Sequence, residues 1–162
     1  MIDEKTVEET WREVAQFNPA KAKTEMERVG RRQPELLSFI VTFTEDLSPD
    51  AHELAVYLFF TIHSMFEKRY GKVRKIKPRE IMRAYERNQQ DFEKLQGAHD
   101  KFLERRANIF QADQPFVMKY LVEALLERED PDLSLSEDDE GAIFLHLKTA
   151  IDLLHSATSG AV

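Results

Sequence analysis

Prolines spaced along the chain constrain its fold more than any other feature. Five of the six prolines each open a segment in which apolar residues recur every three or four positions: Pro19, Pro34, Pro49, Pro78 and Pro115. Proline lacks an N–H and fixes its backbone angle, so it suits the first position of a helix, where no hydrogen bond is lost. No segment alternates apolar and polar residues as a strand does. The sequence therefore predicts an all-α fold, a helical bundle of about six or seven helices.

Local capping signals predict where the helices begin and end. Thr6 and Glu9 have the spacing of a capping box, which predicts a first helix from there to about Gln16. The second helix is expected to end near Gly30. The longest helix starts at the fourth of these prolines and is expected to continue to about Phe110.

Composition indicates a globular protein. With 42% hydrophobic and 33% charged residues, the 162-residue chain fits one domain, which we predict to span 1–162. The chain has no cysteine, which excludes disulfides, thiolate metal sites and cysteine nucleophiles. Its acidic start and the lack of a long apolar run predict neither a secretory signal nor a membrane span. A cytoplasmic location is therefore expected.

The two halves of the chain resemble each other. Gln33-Pro34 and Gln114-Pro115 each open an apolar helical segment that runs out in acidic residues. One interpretation is a duplication that produced two three-helix pseudo-repeats, 6–71 and 78–157, packed around a pseudo-twofold axis and joined by a hinge at 72–77. The other interpretation is the chance resemblance that amphipathic helices have to one another.

The segment 68–79 is strongly basic in an acidic chain. It holds seven of the 23 lysines and arginines and no acid, so the rest of the chain has 16 basic residues against 30 acidic ones. That balance argues against nucleic acid as a partner. One interpretation is a solvated hinge anchored to the core by Val73 and Ile76. The alternative is an anion-binding site formed by Lys72, Arg74, Lys75, Lys77 and Arg79.

The longest predicted helix carries an apolar seam at heptad spacing, interrupted by Asn88, His99 and Arg106. Polar residues at such positions indicate that the seam emerges into solvent there, that it forms an interface, or that it lines a polar pocket in the bundle. We assign His63 and Glu67 to the same pocket or interface. The seam is longer than the other helices can cover. The chain is therefore expected to bind itself as a homodimer, or to bind another protein.

Histidines and acids give no metal or catalytic signature. The chain has no Glu-x-x-His pair around any of its five histidines, so we predict no metal and no cofactor. These histidines are His52, His63, His99, His146 and His155. Ser136 followed by four acids is typical of a helix start, where carboxylates complement the helix dipole. The chain also lacks a phosphate-binding glycine loop and a nucleophile motif.

These observations favour a non-enzymatic, cytoplasmic module for protein-protein interaction or regulation. The first alternative is a regulator that binds an anion or nucleic acid through segment 68–79. The second alternative is an enzyme with a polar site in the helical core, formed by His63, Glu67, His99 and Arg106.

Overall fold

A computed structural model of the chain describes residues 1–95, 112–126 and 135–159. Within those ranges the chain forms seven α-helices and no strand, which confirms the predicted all-α bundle. The helices are α1 (Glu4–Ala15), α2 (Pro19–Arg32), α3 (Pro34–Thr44), α4 (Pro49–Tyr70), α5 (Pro78–Leu95), α6 (Pro115–Leu126) and α7 (Glu137–Ser159). The predicted end of the longest helix, together with His99 and Arg106, lies outside the described residues.

Proline begins each of the helices α2 to α6, as the sequence predicts. Side-chain caps add to this, because Asn18, Ser48 and Ser136 each accept a hydrogen bond from the backbone N–H three residues further on. The predicted cap of α1 is wrong. Asp3 is the cap, and its Oδ1 accepts from the backbone N–H of Thr6 at 2.7 Å. A carboxylate is a stronger acceptor than a hydroxyl at the positive end of a helix, so α1 begins before Thr6.

The helix α4 forms the centre of the hydrophobic core. Its buried residues lie all around the helix rather than on one stripe, so other helices must surround it. They are Ala51, Ala55, Leu58, Phe59, Phe60, Thr61, Ile62, His63, Met65 and Phe66. The helices α1, α3 and α7 pack directly against it and share one core cluster with it.

The helices α4 and α7 lie side by side and run in the same direction. At their starts, Ser48 Oγ donates to Asp139 Oδ2 at 3.2 Å. At their far ends, Gln114 Nε2 lies 3.1 Å from both Tyr70 Oη and His155 Nδ1. The bundle therefore has one end where both α4 and α7 begin and an opposite end where both finish.

Two buried glutamines form equivalent contacts. Gln33 Oε1 accepts from the backbone N–H of Ile76, just before α5, at 3.0 Å. Gln114 Oε1 accepts from the backbone N–H of Ile2, just before α1, at 2.9 Å. Each glutamine precedes a proline that begins a helix, and each binds the segment that leads into a helix of the other half of the chain. The contacts are thus reciprocal between the halves.

The described part of the heptad seam is covered within the chain. On α5, Ile81 and Asn88 are buried against the rest of the bundle, and α5 packs mainly on α7. The two helices approach closely near Phe92, whose ring Cζ would lie 3.3 Å from a Cβ added at Gly141. This part of the seam therefore belongs to the core of a single chain.

Candidate anion-binding surface

The basic segment is a short extended connection between α4 and α5. The chain leaves α4 at Gly71, whose φ of +74° lies in the left-handed region that glycine tolerates and other residues rarely adopt. Val73 and Ile76 then turn inward and are 4% and 3% exposed. This confirms the prediction that both residues anchor the connection to the core.

Gln33 fixes the backbone of this connection. Besides its bond to Ile76, the side chain donates from Nε2 to the carbonyl oxygen of Arg74 at 2.8 Å. The helix α2 continues past Gly30 to reach this position, because the N–H of Gln33 still bonds to the carbonyl of Val29. A wholly buried amide thus holds two peptide groups of the basic segment.

We use the name cationic surface for Lys72, Arg74, Lys75, Lys77 and Arg79, all of which are exposed. Arg74 forms a two-bonded ion pair with Glu80, with N–O distances of 2.8 and 3.0 Å. Hydrogen bonds from Arg74 and from the backbone N–H of Lys77 lower the pKa of Glu80 to about 2. The other four side chains have no carboxylate within 4.0 Å in the described part of the chain. Four of the five charges therefore face solvent without compensation.

The last turn of α2, which leads to Gln33, carries two more arginines. They are Arg31 and Arg32, immediately before Gln33 and hence beside the segment that Gln33 binds. Arg32 is turned toward Glu67, at 3.4 Å, whereas Arg31 is exposed.

His63 and Glu67, predicted to share a polar site, do lie together. Glu67 Oε1 is 3.0 Å from His63 Nδ1, although the contact is not directed as a hydrogen bond. Arg28, from α2, donates to both carboxylate oxygens of Glu67 at 2.8 and 3.0 Å. Burial alone would raise the pKa of Glu67, but the imidazole of His63 and the guanidinium of Arg28 outweigh it and lower the pKa to about 2. Glu67 is thus a carboxylate held ionised by its neighbours.

Asn88, from the same predicted set, belongs to a different cluster. Its Nδ2 donates to Thr149 Oγ1 at 3.1 Å and to Asp152 Oδ2 at 3.0 Å, and its Oδ1 accepts from Lys148 at 3.2 Å. These partners all lie on α7, and no hydrogen bond or ion pair within the described residues joins them to His63 or Glu67. The cluster joins α5 to α7 inside one chain.

His146 lies in a group of aromatic rings that the sequence did not indicate as a site. Its ring centroid is 5.4 Å from that of Phe39, 5.7 Å from that of Phe43 and 5.3 Å from that of Tyr85, so the group joins α3, α5 and α7. Its Nδ1 bonds to the carbonyl of Ala142, whereas its Nε2 is buried with no partner in the described ranges. Burial lowers the pKa of His146, against the opposing effect of the Ala142 carbonyl. The only sequence signal is its place within an apolar run of α7.

We expect this imidazole to lower the free energy of unfolding in mildly acidic solution. The pKa of His146 in the folded protein is below its ordinary value of 6.5, so the unfolded chain takes up the proton first. The stability linked to the neutral imidazole is complete above about 6.5 and is lost as pH falls below that value. The free energy of unfolding, measured by denaturation at a series of pH values, should therefore decrease more steeply with falling pH for the natural protein than for His146→Phe. Equal slopes would contradict the prediction.

Neither a metal cluster nor a membrane-spanning helix is found among the described residues. No three His, Cys, Asp or Glu side chains there come together as they would around a metal ion. His52 instead lies 2.8 Å from Thr44 Oγ1, and His155 lies beside Gln114. Of the helices in these ranges, none combines the length and hydropathy needed to cross a bilayer.

The chain matches no protein-family model, and no curated protein or solved structure is similar to it at a significant level.

Proposed function

We propose that this protein is a non-enzymatic helical interaction module that binds an acidic partner protein through the cationic surface. One observation carries the proposal: four uncompensated cations stand on a segment whose backbone is fixed by Gln33 and by two buried anchors. Fixing the segment in advance lowers the conformational entropy that binding would otherwise cost. A location in the cytoplasm is part of the same proposal.

Two of these cations lie at a helix end where positive charge is unfavourable. Lys77 and Arg79 lie at the start of α5, where the helix end is positive and a carboxylate would be favoured. Cations in that position lower stability by a few tenths to about 1 kcal/mol each. Helix stability alone does not account for them, which supports a role in binding.

The charge of the whole chain favours a protein partner over nucleic acid. The formal net charge is −7, and the cationic surface is a small part of the chain. A long polyanion extending beyond this surface would meet a body that repels it. A short acidic segment or a compact acidic surface on a protein fits without that repulsion.

The geometry of His63 and Glu67 gives less support to the alternative of an enzyme. A general base works best when its pKa lies near the working pH, and the pKa of Glu67 is lowered to about 2. Its oxygens are also engaged by Arg28 and Arg32. The other two residues of that hypothesis, His99 and Arg106, lie outside the described residues.

Binding of a short polyglutamate peptide tests the proposal. We expect the natural protein to bind the peptide, and the variant Lys72→Gln/Lys75→Gln/Lys77→Gln/Arg79→Gln to bind it on the order of tenfold to a hundredfold more weakly. The measurement is fluorescence anisotropy of a labelled peptide at low and high salt. The free energy of unfolding should change by under about 1 kcal/mol, because isolated surface charges contribute little.

A charge-matched control separates the surface from net charge. The variant Lys5→Gln/Arg12→Gln/Lys21→Gln/Lys23→Gln removes the same number of exposed cations from α1 and α2. It should bind the peptide nearly as well as the natural protein. Equal losses in the two variants would mean that binding follows total charge and would overturn the proposed surface.

A further inference from the structure

The bundle carries an acidic surface at the end where α4 and α7 begin. The hydrogen bond from Ser48 to Asp139 places the turn between α3 and α4 beside the first turn of α7. Five exposed acids stand there: Glu45, Asp46, Asp50, Glu137 and Asp138. None of the five has a basic side chain within 4.0 Å in the part of the chain that the structure describes. We call these five residues the acidic surface.

Helix capping accounts for only part of the acidic surface. Asp50, Glu137 and Asp138 lie in the first turns of α4 and α7, where they complement the dipole. Glu45 and Asp46, however, directly follow the C-terminus of α3, where negative charge is unfavourable. The acidic and cationic surfaces thus share a property, because each holds charges that the adjacent helix end opposes.

The two surfaces lie too far apart to neutralise each other within one chain. Helix α4 separates them, since it begins at the acidic surface and ends at the connection that carries the cationic surface. With 22 residues, it is about 33 Å long at about 1.5 Å per residue. That distance is roughly four times the screening length of about 8 Å at physiological salt. Each surface therefore presents its charge to other molecules.

From this complementarity we propose that the acidic partner is a second copy of the same chain, whose acidic surface docks on the cationic surface. The inference rests on the proposed function and names its partner. Opposed surfaces of four uncompensated cations and five acids attract one another, steer the encounter and make association dependent on salt. Docking between these surfaces would also explain the predicted self-association. The heptad seam does not explain it in the described residues, because α7 covers that part of the seam.

Sedimentation equilibrium of three proteins tests this inference. The natural chain of 18.9 kDa should show a mass above that of one chain at low salt and should return to one chain at high salt. The cationic-surface variant described above should be monomeric. The acidic-surface variant Glu45→Gln/Asp46→Asn/Glu137→Gln/Asp138→Asn should be monomeric too. Circular dichroism of each variant checks that it remains folded.

Mixing the two variants is the decisive step. Each variant keeps one surface intact, so an equal mixture should form a complex of two chains, twice 18.9 kDa, that neither forms alone. A mixture that stays monomeric would overturn the inference, as would a natural chain that is monomeric at low salt. Association that persists in both variants would overturn it as well, because another surface would then be responsible. In each of these outcomes the polyglutamate measurement still decides the proposed function separately.

Discussion

Replacing Gln33 or Gln114 with alanine is expected to lower the free energy of unfolding by about 2–5 kcal/mol in each variant. Both side chains are buried, and each binds the segment before a helix that lies far away in sequence. Gln33→Ala leaves the N–H of Ile76 and the carbonyl of Arg74 without their partner. Each buried polar group left unpaired costs about 1–3 kcal/mol, and the missing side chain adds a cavity. Denaturant unfolding followed by circular dichroism measures the loss.

Gln90→Ala provides the matched control, because Gln90 is an exposed glutamine on α5. Its effect should stay within about 0.5 kcal/mol, as is usual for surface positions. Gln33→Ala should also weaken polyglutamate binding, since it frees the backbone of the cationic surface, whereas Gln114→Ala should leave that binding unchanged. If Gln33→Ala and Gln90→Ala have equal stability, the two hydrogen bonds do not hold the connection in place.

The reciprocal use of these glutamines supports the proposed duplication. In two similar halves related by a twofold axis, a contact from the first half to the second should recur from the second to the first. Gln33 and Gln114 meet that condition, with Ile76 and Ile2 as the matching partners. The helix order agrees, since α4 and α7, which the duplication would make equivalent, lie in parallel. The pseudo-repeats 6–71 and 78–157 remain a proposal that further sequences could test.

Local signals in the sequence were enough to predict the helices but not their partners. Proline at a first helical position and a polar cap act within one turn, so Asn18-Pro19 and Ser48-Pro49 could be recognised without a structure. The same holds for Val73 and Ile76, because they are the two aliphatic residues in the otherwise charged run 72–77, which predicts that they turn inward. Contacts between residues far apart in sequence gave no such signal. A Gln before a proline looks like any helix start, and only the fold shows that it is buried.

In the polar clusters, too, the sequence predicted partners on the same helix but not partners on other helices. The spacing of His63 and Glu67 places them one helical turn apart, so their pairing could be predicted from sequence. Arg28 could not, because it reaches Glu67 from another helix, 39 residues earlier in the chain. Asn88 was correctly identified as an unusual polar residue in an apolar seam. Its partners on α7 follow from helix packing, which the heptad pattern does not specify.

Replacing Glu67 with glutamine is expected to lower the free energy of unfolding by about 1–3 kcal/mol at neutral pH. Glu67 is 13% exposed and compensates both Arg28 and Arg32, so its loss leaves Arg32 without this carboxylate and leaves Arg28 with Glu25, at 2.9 Å, as its remaining carboxylate partner among the described residues. Breaking a fully buried ion pair would cost about 3–5 kcal/mol. The arginines here are 33% and 36% exposed, so water reduces the loss of unfolding free energy.

The pH dependence of this variant follows from the lowered pKa of Glu67, about 2 in the folded protein against an ordinary value of 4.5. Because the folded-state pKa is the lower one, the stabilisation is complete above about 4.5 and is lost as pH falls toward about 2. The difference between the natural protein and Glu67→Gln should therefore shrink over that range in denaturation measured at successive pH values. Glu8→Gln is the control, since Glu8 also pairs with an arginine, Arg12, at 2.6 Å but both side chains are at least half exposed, at 50% and 63%. It should cost under about 0.5 kcal/mol. A Glu67→Gln variant as stable as this control would mean that solvent screens the buried network as fully as a surface pair.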